Sequence, residues 1–174
     1  AAEFYRLFDS ALELASKGRH QEAVAEWRRA LAMEPGNAKA HTNLGISLSR
    51  LGSPDEAIAE FRKAVELKPA YPEARNNLGV ALVQTGRFSE AVPHFVKYLE
   101  FYPLSGEVHF NLAEALYQRG SAADAIRIAR RALALATEHI RAISLSRMPP
   151  PVMSGFEGDF KEIKDSLNTS IMAI

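Results

Sequence analysis

Apolar side chains recur at helical spacing along most of the chain. Leu44, Leu48 and Leu51 make one stripe, and Ala57, Phe61, Ala64 and Val65 make the next. Gly52 stands between them and supplies a helix end that tolerates positive φ. Ser53-Pro54-Asp55-Glu56 then reads as a capping box with proline at the first helical position, and Pro69 stops the second stripe. The pattern predicts two antiparallel helices, and it repeats. Pro35, Pro69 and Pro103 stand 34 residues apart, as do Gly18, Gly52, Gly86 and Gly120. Ala23, Ala57, Ala91 and Ala125 keep the same step, as do Trp27, Phe61 and Phe95. Leu44, Leu78 and Leu112 keep it too, followed by Gly45, Gly79 and Ala113. The alanines let the helices of a pair approach, and the aromatic ring fills the space beside them. One pair cannot bury its apolar faces alone, so successive pairs must stack.

These residues resemble the tetratricopeptide repeat family, whose pattern has Leu-Gly in the first helix, Ala and then an aromatic in the second, and a closing Pro. The resemblance implies an all-α, right-handed superhelical solenoid of four antiparallel helix pairs, with units 4–37, 38–71, 72–105 and 106–139. The end units depart from the pattern. Ser10-Ala11 replaces Leu-Gly in the first unit, and Ala129 and Thr137 replace the aromatic and the proline in the fourth. With no proline there, nothing between Ala122 and Arg147 stops a helix. Leu133, Ala136, Ile140 and Ile143 carry one apolar stripe onward, so the last helix is expected to run long or to break briefly into a capping helix. The expected divisions are a solenoid over 1–147, a proline-rich linker over 148–155 and a tail helix over 156–174. Pro93 falls inside a second helix, where a bend is expected from its missing backbone donor.

In this family, side chains at positions 2, 5, 6, 9, 12 and 13 of each unit line a concave groove. The resemblance places Tyr5, Phe8, Asp9 and Leu12 there from unit 1, and Lys39, Thr42, Asn43, Ile46 and Arg50 from unit 2. Unit 3 contributes Glu73, Asn76, Asn77, Val80 and Gln84. Unit 4 contributes Glu107, Phe110, Asn111, Glu114 and Tyr117. Asn43, Asn77 and Asn111 repeat at the 34-residue step. Asparagine is a poor helix-interior residue, because its amide competes for backbone hydrogen bonds. Three in one phase call for a compensating role: either they bind a peptide backbone, which an amide can both donate to and accept from, or they bond neighbouring helices and set the stacking. The series is similar to the asparagine ladder in the tetratricopeptide domains of O-linked N-acetylglucosamine transferases. Chaperone-tail receptors of the same family grip a C-terminal carboxylate with Lys, Asn and Arg. Phe8, Leu12 and Glu73 stand where that clamp needs polar or cationic groups, so no such specificity is expected.

Phe156, Phe160, Ile163, Leu167 and Ile171 are spaced 4, 3, 4 and 4 residues apart, with charged residues opposite, which predicts an amphipathic tail helix. Its apolar face needs a partner surface: the chain's own solenoid, a neighbouring copy in a swapped dimer, or an external partner. Occupancy of the groove would be self-inhibitory.

Composition narrows the function classes. Lys+Arg and Asp+Glu both number 21, so no long-range field is expected to attract nucleic acid or an anionic membrane. The sequence has no cysteine, which excludes disulfides, thiolate nucleophiles and Cys-based metal sites. No apolar run reaches the roughly 18 residues of a membrane span. No phosphate-binding glycine loop, zinc-protease or serine-hydrolase motif occurs. His41 and His109 share the fourth position of their units, where structural histidines are expected. Arg127, Arg130, Arg131, Arg141 and Arg147 form a basic stripe expected to face solvent. The compartment stays open between cytoplasm and periplasm. The expectation is a non-catalytic interaction scaffold without cofactor or metal, binding a protein or peptide and neither nucleic acid nor membrane. The alternatives are a self-assembly module using the tail and the accessory repeat region of a larger enzyme.

Overall fold

The computed structural model describes residues 2–145, with side chains through residue 138. The linker 148–155 and the tail helix with Phe156, Phe160, Ile163, Leu167 and Ile171 lie outside the described residues. So do the Ile140 and Ile143 end of the apolar stripe and the Arg141 and Arg147 end of the basic one.

Eight helices and no strand make up the described residues: α1 (Ala2–Ser16), α2 (His20–Met33), α3 (Ala38–Arg50), α4 (Pro54–Leu67), α5 (Pro72–Gln84), α6 (Phe88–Phe101), α7 (Gly106–Gln118) and α8 (Ala122–Leu145). They pack as α1 on α2, α3 on α4, α5 on α6 and α7 on α8, and each even helix packs on the odd helix that follows. The odd helices also touch one another in series, α1 on α3, α3 on α5 and α5 on α7. Among the described residues the even helices show no comparable series of close backbone approaches, so the odd helices form the inner, more crowded side of a curved stack.

Sequence punctuation sets the boundaries. Gly18, Gly52, Gly86 and Gly120 each take a left-handed φ between 74° and 91° at the turn inside a pair. Between pairs, α2, α4 and α6 end two residues before Pro35, Pro69 and Pro103. Asn37 and Ser105 cap α3 and α7 by accepting from the amides of Ala40 and Val108 at 3.0 and 3.4 Å. The capping box at Ser53 does not form. Pro54 opens α4 as expected, but the Ser53 side chain makes no cap bond. Glu56, its expected partner, instead accepts from Arg28 of α2 at 3.0 Å. α6 runs through Pro93 as one element, with Pro93 exposed.

The Leu-Gly and aromatic positions are one device. A Cβ added at Gly45 would lie 2.6 Å from the Phe61 ring, and one at Gly79 would lie 2.6 Å from the Phe95 ring. Each ring therefore sits against bare backbone and is fully buried. Unit 4 abandons both halves together, with Ala113 in the glycine position and Ala129 in the aromatic one. Unit 1 keeps its aromatic opposite Ala11, and Trp27 turns edge-on to Phe8 at 4.9 Å between centroids.

Outside the core, the 34-residue step organises polar contacts. Arg28 reaches Glu56 at 3.0 Å and Arg62 reaches Glu90 at 2.7 Å, joining α2 to α4 and α4 to α6. Val96 occupies the next place in the arginine series, so the ladder stops there. His41 Nδ1 meets Glu60 at 2.6 Å and its Nε2 meets the Pro35 carbonyl at 2.9 Å. Arg75, one unit on, donates to the Pro69 carbonyl at 2.8 Å. His109 is buried with Nδ1 at 2.8 Å from the Ser105 carbonyl. These basic side chains tie units 2, 3 and 4 to the turn before each.

Candidate functional site

The inner face is built from α1, α3, α5 and α7, because only their solvent-directed side chains look into the curve of the stack. Position 2 of each unit is exposed: Tyr5, Lys39, Glu73 and Glu107. Lys39 lies 5.6 Å over the Phe8 ring, which its chain helps to cover. Tyr71 donates a hydrogen bond to Glu73 at 3.1 Å. Burial, aided by the Glu73 charge, pushes the Tyr71 phenol up to about 12. Glu73 is thus partly engaged by its own unit.

Position 5 belongs more to packing between units than to the groove. Phe8 is buried against Trp27. Thr42, expected in the groove, is fully buried, and its hydroxyl donates back to the Ala38 carbonyl at 2.9 Å. A short side chain at that position cannot reach past its own helix, so Thr42 leaves the set of ligand-facing residues. Asn76 is half-buried, and its side-chain carbonyl oxygen is buried without a hydrogen-bond partner. Phe110, in the last unit, is half-buried.

Position 6 carries the asparagine series. Asn43, Asn77 and Asn111 are all half-buried on α3, α5 and α7. The Asn43 side-chain nitrogen is buried and unpaired. A buried unpaired polar group costs about 1–3 kcal/mol. Position 9 changes from apolar to acidic along the stack: Leu12 is exposed, Ile46 and Val80 are half-buried, and Glu114 is exposed. Asp9, Arg50, Gln84 and Tyr117 are exposed at the edges.

Between α5, α6 and α7 the groove deepens into a pocket of about 380 Å³. Val80, Val83, Phe88 and Phe95 form its apolar walls and floor. Asn111 and Glu114 stand on its polar side with Gln84 and Gln118. Of these residues, sequence reasoning placed Val80, Gln84, Asn111 and Glu114 on the groove, without a pocket, and missed the others. Val83 and Gln118 hold positions 12 and 13 of their units, so the repeat phase carried the signal. Phe88 opens α6 and had none, because its counterparts Pro54 and Ala122 are not aromatic.

No cluster of three or more potential metal ligands occurs among the described residues. No helix among them is long and apolar enough to cross a membrane.

The tetratricopeptide repeat family profile matches residues 8–72, 42–105 and 76–139. A comparison with curated protein sequences finds no significant match. Among solved structures, MamA from AMB-1 is 30% identical, with 74% of this chain and 76% of that one covered at a TM-score of 0.69. MamA from Desulfovibrio magneticus RS-1 is 17% identical over 95% of this chain and 97% of that one, with a TM-score of 0.77. YrrB, described as a TPR protein with an unusual peptide-binding site, is 22% identical over 82% of this chain and 73% of that one, with a TM-score of 0.71. The last two likenesses bear on fold alone.

Proposed function

We propose, since the chain belongs to the tetratricopeptide repeat family, that it is a non-catalytic scaffold binding an extended polypeptide along the inner face of α3, α5 and α7. The observation that carries this is the asparagine series. Its three amides share one phase of the repeat, and helices α3, α5 and α7 gain nothing from asparagine as such. Stacking alone would pair these amides with neighbouring helices, yet the Asn43 amide nitrogen has no hydrogen-bond partner. An extended peptide offers alternating N–H and C=O groups that can pair with the solvent-facing atoms of these half-buried amides, whatever its side chains. Ile46 and Val80 add apolar contact beside the ladder.

The test is Asn77→Ala/Asn111→Ala, probed with immobilised random dodecapeptides. Each amide removed should weaken capture roughly tenfold, the equivalent of about 1–1.5 kcal/mol per hydrogen bond, with helicity unchanged. Unaltered capture by a folded double variant would assign the ladder to stacking.

A further inference from the structure

We infer that the pocket between α5, α6 and α7 is a specificity subsite for one long basic side chain, lysine or arginine, of the bound polypeptide. The inference rests on the inner face being the ligand face. At about 380 Å³ the pocket lies near the lower end of ligand pockets, roughly 300–1,000 Å³, and it is open to the groove. That size suits a single side chain entering from a backbone held on the asparagine ladder. Asn111 is both a ladder member and a pocket wall, so a peptide bonded to it is already at the mouth.

The lining selects the chemistry. Val80, Val83 and Phe88 offer apolar surface for a methylene stem. Glu114 supplies a carboxylate, no cation lines the pocket, and Glu114 makes no ion pair with any described residue. The Phe88 ring adds a face on which a guanidinium or ammonium can rest. An acidic side chain would meet Glu114 at close range and is rejected, and a purely aliphatic one leaves the carboxylate unused.

The repeat provides an internal control. Moved back by 34 residues, the pocket positions of Glu114, Gln84 and Phe88 become Val80, Arg50 and Pro54. The equivalent place between units 2 and 3 has therefore lost the carboxylate and the aromatic and gained a cation. The basic preference belongs to one register only, so a peptide with a single basic residue is held at one position along the groove.

The experiment uses the full chain and immobilised dodecapeptides, randomised except at one fixed residue: lysine, arginine, norleucine or glutamate. The expected order is lysine and arginine over norleucine over glutamate, with the basic peptides favoured roughly three- to tenfold at low salt and less at high salt. Glu114→Gln should remove the difference between lysine and norleucine. Glu114→Lys should turn the preference toward glutamate. Capture that depends on Asn77 and Asn111 but shows no basic preference, or a preference unmoved by Glu114→Gln, overturns the subsite and leaves the groove intact. Capture of no peptide at all overturns both.

Discussion

Gly45 and Gly79 carry more of the fold than their size suggests, because each leaves the backbone bare where a Phe ring presses on it. Alanine in a helix interior is favoured over glycine by about 1 kcal/mol, so on propensity alone either substitution would stabilise. Packing opposes it. The new Cβ would sit 2.6 Å from ring carbons of a fully buried Phe61 or Phe95, and overpacking a core costs about 1–3 kcal/mol. The packing term should win, and Gly45→Ala is expected to lower stability by roughly 1–2 kcal/mol in urea denaturation. Adding Phe61→Leu should then cost less than the same change in the wild-type background, because the ring that clashes is gone. Additive effects in that double-mutant cycle would contradict the clash. Unit 4 has already made the paired exchange, with Ala113 and Ala129 at the two repeat positions.

Between elements, one helix-to-helix contact changes sign as it passes along the stack. In unit 2 it is His41 of α3 against Glu60 of α4, a complementary pair. In unit 3 the same two places hold Arg75 of α5 and His94 of α6. Burial pushes the His94 pKa below its ordinary 6.5, and the Arg75 and Arg62 charges on α5 and α4 push it the same way, while Glu90 on its own helix pulls it back up. His94 Nδ1 is buried and unpaired. The unfolded chain therefore binds more protons than the folded one over the interval from 6.5 down to the folded value, so stability rises with pH there. The contribution is complete above 6.5 and fades as pH falls through that interval. Lowered carboxylates such as Glu90 and Glu22 act in the same direction but only below 4.5. Between about pH 6.5 and 5, the melting temperature should fall more for the wild type than for His94→Gln. Equal slopes would mean that neither burial nor the Arg75 and Arg62 charges lower the His94 pKa in the folded chain.

The same contrast marks how much was legible in the sequence. Glycine, proline and apolar spacing act locally, so the helices, the turns inside pairs and the long last helix could be read from neighbouring residues. The lining of the candidate site was legible only where it follows the repeat phase, as with Asn43, Asn77, Asn111 and Glu114. What escaped depends on contacts that the repeat phase does not carry. Glu56 was drawn from its cap by Arg28, 28 residues away in the preceding unit. Thr42 was drawn inward by its own helix carbonyl, and Phe88 entered the pocket from a second helix with no periodic signal.

At the scale of the molecule, a stack of pairs is held by nearest-neighbour interfaces, so its weakest interface decides where it opens. Unit 1 is locked by Phe4, Phe8 and a fully buried Trp27. Arg28–Glu56 and Arg62–Glu90 bridge the first three second helices, though exposed pairs of this kind contribute only about 0–1 kcal/mol each. The step from unit 3 to unit 4 lacks this bridge, since Val96 stands in the arginine's place, and unit 4 lacks the glycine–aromatic lock. Opening should therefore begin at α7 and α8. The chain has one tryptophan, and it reports on the opposite end. In a urea titration, far-ultraviolet circular dichroism should begin to fall before Trp27 emission changes, with a lower midpoint. Coincident transitions would mean that all four pairs unfold as one unit. An emission change that comes first would place the weak interface at α1 and α2, against the packing of Trp27. The order bears on the groove as well, because Asn111 and Glu114 lie on α7 and would be lost with the first pair to open.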